Sequence, residues 1–232
     1  MTVLEGVDLA KHFVGGDGGL LTVLDGVSVS VQQGEMVAIV GASGAGKSTL
    51  LHVRGALDRP TRGRVTIGGV DLSGLGDEGL AHLRNEKVGF VFQFHHLLRE
   101  FSALENVMMP LRIAGWAPTT ARNRAGELLE RVGLGSRMSH RPGELSGGEQ
   151  QRTAVARALA IDPAILLADE PSGNLDHANA ERLHDLFEEL SRDLEIAMVI
   201  VTHNRALATR ADRVLLLEDG RLSEVSNVEA LP

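Results

Sequence analysis

The chain has 232 residues, 43% of them hydrophobic, so it is long enough and apolar enough for one large domain or two small ones. It contains no cysteine, which excludes disulfide bonds, thiol catalysis and cysteine-ligated zinc. The 23 basic and 31 acidic residues give a net charge of −8, and with 3% aromatic residues this disfavours a nucleic-acid partner. Because no apolar run approaches the ~18 residues of a transmembrane helix, we expect contact with a membrane only through protein partners.

The first elements in chain order are predicted strands of an antiparallel layer. Residues 22–32 alternate apolar and polar side chains, and the apolar positions include Val23, Val27, Val29 and Val31. Such alternation is typical of a strand that is buried on one face only. With residues 3–9 and 64–67, this segment predicts an antiparallel β layer.

A second set of predicted strands consists of short, nearly continuous apolar runs. They lie at residues 36–40, 164–168, 198–201 and 214–217. Runs of this kind suit strands that are buried on both faces of a parallel sheet. The helix-like stretches among them lie at residues 47–57, 177–193 and 204–211. Alternating strands and helices favour an α/β fold with a parallel sheet.

Residues 94–160 have a different pattern, with little strand signal and three helical stretches at 103–113, 121–132 and 149–160. We interpret them as a helical insertion within one domain that spans residues 1–232. Residues 1–93 and 161–232 then form the β layer and the parallel-sheet core.

A phosphate-binding loop is predicted between the strand at 36–40 and the helix that follows. Its nine residues are Gly41, Ala42, Ser43, Gly44, Ala45, Gly46, Lys47, Ser48 and Thr49. Glycines let the backbone turn around an anion with its N–H groups pointing inward, and the helix N-terminus adds its dipole. Lys47 supplies a positive charge for the β- and γ-phosphates, and the Ser48 hydroxyl can bind Mg²⁺. A flexible glycine-rich turn is the alternative, which the strand–loop–helix context disfavours.

Two acidic residues follow the apolar run at 164–168. Since α/β sheets bind ligands at the carboxyl ends of their strands, Asp169 is a candidate Mg²⁺ partner through water. Glu170 lies one residue further and can polarise a water molecule beyond the γ-phosphate. The alternative is that both acids are simply exposed to solvent at the end of a strand. Beside a phosphate-binding loop, however, the pair indicates a nucleotide site.

A capping box is predicted where Ser146 is followed three residues later by Glu149. It opens a helix that runs to Leu159, and helix physics alone favours an ordinary capped helix. Gly147 and Gly148 nevertheless expose backbone N–H groups at this cap, which makes a second phosphate-binding edge. The two edges either share one pocket within the chain or face each other across a dimer.

These motifs resemble those of the ABC-transporter ATPases, whose signature is similar to residues 145–152. Gln93 lies where that family has its Q-loop glutamine, residues 172–176 resemble the D-loop that ends in Asp176, and His203 matches the switch histidine. The order of the five motifs over residues 41–203 also agrees. The resemblance implies a P-loop NTPase fold with a RecA-like core, an antiparallel β layer and a helical insertion.

The resemblance further implies a head-to-tail dimer of two copies with two ATP molecules in the interface. Lys47, Ser48 and Asp169 would hold the phosphates and Mg²⁺, and Gln93 would complete the Mg²⁺ shell. The signature residues of the other copy, Ser146, Gly147, Gly148 and Glu149, would close on the γ-phosphate. Glu170 would act as the general base, and His203 would orient the attacking water.

Two positions depart from the family pattern. The family commonly stacks adenine on a tyrosine ahead of the first long strand, but this chain has no tyrosine, so Phe13 is the candidate. Arg54 lies on the apolar face of the predicted helix at 47–57. It pairs with an acid or extends outward along its aliphatic stem, and the sequence does not decide between these.

Residues 92–98 look like those of the ATP-binding subunits of bacterial lipoprotein-releasing systems, as do residues 140–144 and 168–174. The resemblance implies that ATP turnover drives lipoprotein release and that the chain is peripheral on the cytoplasmic face of the inner membrane. Apolar side chains between Phe94 and Phe101 would contact the integral membrane subunits. Arg99 stands where a proline is expected, and His95 with His96 favours a polar contact over a metal site.

Two related systems remain as alternatives. Macrolide exporters share the same ATPase subfamily, although their ATPase is often fused to a membrane domain. The cell-division ABC complex regulates wall hydrolysis and shares the His-His-Leu-Leu sequence at residues 95–98. Soluble ABC ATPases of DNA repair and translation are disfavoured, because the repair members carry long coiled coils and many translation members carry two ATPase domains.

Overall fold

The computed structural model describes residues 1–16 and 18–225, which form two sheets with helices packed around them. The strands are β1 Thr2–Val14, β2 Leu20–Gln32, β3 Met36–Val40, β4 Arg62–Ile67, β5 Val70–Asp71, β6 Val88–Phe92, β7 Ile165–Asp169, β8 Ala197–Val201, β9 Arg213–Glu218 and β10 Arg221–Glu224. The α-helices are α1 Lys47–Arg54, α2 Asp77–Lys87, α3 Ala103–Ile113, α4 Pro118–Arg131, α5 Gly147–Ala158, α6 His177–Leu194 and α7 Arg205–Ala208. Short 3₁₀ helices lie at Leu72–Gly74, Gly135–Arg137 and Pro142–Glu144.

The predicted antiparallel layer is a four-stranded sheet in the order β2-β1-β4-β5. Strand β1 pairs antiparallel with both β2 and β4. The second sheet has six strands in the order β10-β9-β3-β8-β7-β6. Its strands from β9 to β6 are parallel, and β10 joins the edge antiparallel to β9. The α/β fold class with two kinds of sheet is therefore confirmed.

The central strands of the six-stranded sheet are buried on both faces. Every residue of β3 and β8 is buried, as is β7 up to its last residue, Asp169. This burial explains why these strands appear in the sequence as continuous apolar runs rather than as alternating patterns. The carboxyl ends of the three strands lie together at one edge, where the polar residues after each strand meet.

Several predicted boundaries differ from the structure. The helix predicted over 47–57 ends at Arg54, because Gly55 follows as its cap and Ala56 has a left-handed backbone with φ of 58°. The helix predicted over 204–211 is the short α7, since the chain must turn back into β9. Helix α2 and the short strands β5 and β10 are not predicted at all.

Residues 94–160 contain α3, α4 and α5 and no strand. Helices α3 and α5 begin with capping boxes of the same kind, in which Ser102 pairs with Glu105 and Ser146 pairs with Glu149. The predicted capping box and its helix are therefore confirmed in place. That these residues form an insertion within one domain stays a prediction.

Arg54 is fully buried at the end of α1, and in the described part of the chain none of its three guanidinium nitrogens has a hydrogen-bond partner. Both expectations for it, pairing with an acid and extension outward, are wrong. Burial lowers the pKa of Arg54 to about 9, with a smaller contribution from the charge of Arg213. The buried side chain thus retains its charge at neutral pH, with Arg213 and Glu35 as the charged groups that act on it.

Candidate nucleotide-binding site

A cavity of about 640 Å³ lies at the carboxyl edge of the central strands. It brings together predicted residues from segments that are far apart in the sequence. From the first third of the chain these are Phe13, Gly41, Ser43, Gly44, Gly46, Lys47, Ser48 and Thr49. From later segments they are Gln93, Asp169, Glu170 and His203. Ala42 and Ala45 belong to the same loop but do not line the cavity.

The loop at 41–46 connects β3 to α1 and has a backbone that requires glycine. Gly46 has φ of 97°, and a Cβ there would lie 2.7 Å from Cγ1 of Val23. A Cβ at Gly41 would lie 2.3 Å from the carbonyl oxygen of Leu217. Nζ of Lys47 donates to the carbonyl oxygen of Gly41 at 2.8 Å. The positive charge is therefore held at the loop, and the N-terminus of α1 faces the same cavity.

Ser48 and Asp169 lie together at the base of the cavity. Burial raises the pKa of the Asp169 carboxyl, and its hydrogen bond with Ser48 acts in the opposite direction. With the Gln93 amide they offer the oxygen donors that Mg²⁺ prefers. The described residues contain no cluster of three His, Cys, Asp or Glu side chains that could hold a metal. The residues therefore suit Mg²⁺ that takes further ligands from phosphate and water.

Glu170 has an unusual backbone and a well-defined side chain. Its φ is 46°, a left-handed conformation that is costly for a residue with a side chain. Its backbone N–H donates to the carbonyl oxygen of Val201 at 2.8 Å. One carboxylate oxygen, Oε2, lies 2.9 Å from Nδ1 of His203 and accepts the backbone N–H of His203 at 3.1 Å. The structure therefore places the predicted base and the switch histidine in direct contact.

Side-chain hydrogen bonds hold the turn at residues 170–176 in place. Nε2 of Gln93 donates to Oδ1 of Asn174 at 3.0 Å, and Nδ2 of Asn174 donates to the carbonyl oxygen of Gln93 at 3.2 Å. Asp176 does not line the cavity; its side chain caps α6 by accepting the backbone N–H of Asn179 at 2.9 Å. Asn174 is a contact that the sequence prediction missed, although it lies within the predicted D-loop.

The signature residues lie apart from this cavity, since none of residues 146–149 is on its lining. Oγ of Ser146 accepts the N–H of Glu149 at 3.3 Å. The backbone N–H of Ser146 is the main cause that lowers the pKa of Glu149 to about 2. Gly148 packs against Asn179 so closely that a Cβ would lie 2.3 Å from its Oδ1. Of the two arrangements left open by the sequence, the shared pocket within one chain is therefore wrong.

Phe13 is 42% exposed at the mouth of the cavity. Nζ of Lys11 lies 5.1 Å from the centroid of its ring. Leu21 and Val23 line the same end of the cavity and were not predicted. The sequence gives little indication that these two residues line a binding site, because the alternating pattern of β2 identifies Val23 only as a buried strand position.

The family model for the ABC transporter matches residues 24–173. The chain belongs to the ABC transporter family. ATP hydrolysis by a transporter ATPase is its activity. No helix in residues 1–16 and 18–225 has the length and apolar character needed to span a bilayer.

Proteins of the lipoprotein-releasing systems align with almost the whole length of this chain. The lipoprotein-releasing system ATP-binding protein LolD of Geobacter metallireducens is 54% identical over 95% of this chain and 98% of that protein. The protein of the same name from Pseudomonas syringae is 53% identical over 96% and 97%. A solved dimer of the ATP-binding cassette MJ0796 with ADP and Pi has a TM-score of 0.86, 36% identity, and coverage of 97% and 99%. That likeness confirms the ABC ATPase fold.

Proposed function

We propose that this chain is the ATP-hydrolysing subunit of an ABC transporter that releases lipoproteins from the inner membrane toward the outer membrane. The observation that carries the proposal is the 54% identity to a protein named for lipoprotein release, over nearly the full length of both chains. The geometry of the cavity supports the hydrolytic part, because it combines a phosphate-binding loop with a paired carboxylate and histidine.

In the proposed mechanism, the backbone N–H groups of the loop at 41–46 and the ammonium of Lys47 bind the phosphates of ATP. Ser48, Asp169 and Gln93 would hold Mg²⁺, with Asp169 acting through water. When bound, Mg²⁺ neutralises charge that develops on the phosphates.

Glu170 is proposed as the general base. Oε2 accepts the backbone N–H of His203 and lies 2.9 Å from its Nδ1, so Oε1 is the oxygen proposed to accept a proton from the attacking water. The contact also positions His203 beside the γ-phosphate, where it orients the same water. Gln93 links this site to the membrane contact, since it immediately precedes Phe94 and is bonded to Asn174 in the turn after Glu170.

A second copy of the chain is proposed to complete the site. Ser146, Gly147, Gly148 and Glu149 lie outside the cavity of their own chain, at the N-terminus of α5. In a head-to-tail dimer they face the ATP that the other copy holds. Two solved structures of the related cassette MJ0796 are dimers, which supports the assembly of two copies.

The membrane subunits are proposed to dock beside Phe94, which is 65% exposed. An apolar groove of about 450 Å³ lies between α2, β6, α3 and α5, and its lining includes Leu57, Leu98 and Ile113. The groove and the loop that carries Phe94 together provide the apolar contacts that a helix of a partner protein needs for docking. Docking there places the chain peripherally on the cytoplasmic face of the inner membrane.

Glu170→Gln provides the test of function, because loss of the base favours an ATP-bound dimer. The tagged variant is expressed in its own host, membranes are solubilised with ATP and Mg²⁺, and the co-purifying proteins are identified by mass spectrometry. We expect integral membrane subunits with periplasmic domains together with lipoproteins. Recovery of a division-site partner and wall-hydrolase regulators would favour the cell-division complex instead. Recovery of an antibiotic-exporter subunit would favour the macrolide system.

A further inference from the structure

A buried hydrogen bond lies behind the turn that carries Glu170. His184 on α6 is fully buried, and its Nε2 lies 3.0 Å from Oγ of Ser172, which is only 6% exposed. Nδ1 of His184 lies 3.4 Å from Oε1 of Glu181. Among the described residues Nδ1 has no hydrogen-bond partner, but the negative charge of Glu181 beside it favours the tautomer with the proton on Nδ1, which leaves Nε2 to accept the Ser172 hydroxyl. Burial lowers the pKa of His184, which favours this neutral form.

Ser172, His184 and Glu181 are placed like the nucleophile, the base and the orienting acid of a catalytic triad. Nucleophilic chemistry is excluded here, because the Ser172 hydroxyl points into the protein interior and is almost inaccessible. The buried hydrogen bond between Ser172 and His184 holds the two residues in place instead. What it fixes is the segment that joins the end of β7 to α6.

Ser172 is the central residue of the turn that follows Glu170. The backbone N–H of Gly173 donates to the carbonyl oxygen of Glu170 at 3.0 Å, and the N–H of Leu175 donates to that of Ser172 at 3.1 Å. Glu170 needs support from this turn, because its left-handed backbone is unfavourable unless neighbouring contacts impose it. The hydrogen bond to His184 is the side-chain contact that ties Ser172 to α6.

The chain of contacts continues to the segment after His203. Oε2 of Glu181 lies 2.7 Å from a guanidinium nitrogen of Arg210, which also binds Asp185 at 2.6 Å. Arg210 follows α7, the short helix that begins two residues after His203. Glu170 and His203 are therefore joined both directly and through α6.

We propose that His184 is a positioning residue for ATP hydrolysis. By accepting the hydrogen bond of Ser172 it holds the turn that sets the backbone of Glu170, and with it the contact between Glu170 and His203. This inference rests on the proposed role of Glu170 as the general base. It predicts an effect on turnover rather than on nucleotide binding, since no residue of α6 is on the lining of the nucleotide cavity.

The test compares His184→Leu, Ser172→Ala and their double variant by steady-state ATP hydrolysis of the full chain. Either single change is expected to lower kcat at least ~10-fold, because small misplacements of reacting groups are costly. KM for ATP is expected to stay within about twofold. The double variant is expected to lose no more than either single variant, since both remove one hydrogen bond.

His184→Gln is the rescue variant, since its amide group reaches close to the position of Nε2 and can accept the Ser172 hydroxyl. It is expected to recover most of the turnover that His184→Leu loses. The matched control is His82→Leu, at an exposed histidine of α2 that pairs with Glu86. Thermal unfolding of each variant separates a folding defect from an effect on turnover.

Unchanged kcat in Ser172→Ala, which removes a single oxygen atom, would overturn the inference even if His184→Leu fails to fold. The inference would also be overturned if the losses of kcat in the two single variants multiplied in the double variant. A kcat of His184→Gln as low as that of His184→Leu would overturn it as well. Absence of ATP hydrolysis in the unmodified chain would instead contradict the proposed function. The two failures are therefore distinguishable.

Discussion

Nδ1 and the backbone N–H of His203 both contact Oε2 of Glu170, at 2.9 and 3.1 Å. The contact follows from the sheet, because β7 and β8 are parallel neighbours with Asp169 in register with Val201. Residues that follow these strands by one or two positions therefore emerge side by side. The pairing orients the Glu170 carboxylate before any substrate is bound.

Glu170→Gln is expected to bind ATP but to lower the rate of hydrolysis at least ~100-fold, as for loss of a general base. The amide oxygen of the glutamine can still accept the backbone N–H of His203, so the position of the side chain is retained while its ability to accept a proton is lost. Phosphate release and retained nucleotide are the quantities to measure. Glu189→Gln, at an exposed position of α6, is the matched control. Full turnover by Glu170→Gln would exclude this residue as the base.

Ser146→Arg is expected to abolish turnover and leave nucleotide binding by the monomer unchanged. A long cation at the N-terminus of α5 blocks the surface that is proposed to close on the partner's ATP. The substitution also removes a helix cap, which costs about 1 kcal/mol. Ser102→Arg removes the same kind of cap from α3 and is therefore the control. Loss of nucleotide binding in Ser146→Arg would contradict a site shared between two copies.

Phe94→Asp is expected to detach the chain from its membrane subunits without unfolding it. The side chain is 65% exposed, so a carboxylate there is solvated in the free chain but must be desolvated when a partner docks. Co-purification from solubilised membranes is the measurement, with circular dichroism as the check on folding. Leu194→Asp, at the end of α6, introduces the same charge at a 39% exposed position. Equal recovery of partners with both variants would place the contact elsewhere.

Arg54→Leu is expected to raise the free energy of unfolding by about 1–4 kcal/mol, because it replaces a buried, unpaired charge with an apolar side chain. Urea denaturation at pH 7 measures the gain. Arg192→Leu changes an exposed arginine and is expected to stay within about 0.5 kcal/mol of the unmodified chain. A destabilised Arg54→Leu variant would show that the guanidinium has a partner in solution.

The same substitution has a predictable pH dependence. Burial lowers the pKa of Arg54 to about 9, so the folded state holds this proton less tightly than the unfolded chain. The cost of burial is therefore fully present below pH 9 and decreases as the pH rises above 9 toward the higher pKa of the unfolded chain. The difference in the free energy of unfolding between Arg54→Leu and the unmodified chain is therefore expected to be smaller at pH 10 than at pH 7.

Local chemistry made most of the site predictable. The glycine pattern at 41–49, the acids after β7 and the capping box at Ser146 each depend on neighbours within a few residues. Backbone geometry, helix capping and strand burial act over that distance, so their signals survive in the linear sequence. The boundaries of α1 were less predictable, since the left-handed backbone of Ala56 ends the helix where the apolar pattern continues.

The sequence by itself determined the fold class, the phosphate-binding loop, the acidic pair and the resemblance to ABC ATPases. Only the tertiary structure decided which distant residues meet: Glu170 with His203, Ser172 with His184, and Gln93 with Asn174. It also left Arg54 without a partner and placed the signature residues away from the cavity of their own chain. These facts depend on strand order and helix packing, which bring together side chains that are 12, 33 and 81 residues apart in the three pairs and leave no periodic trace in the sequence.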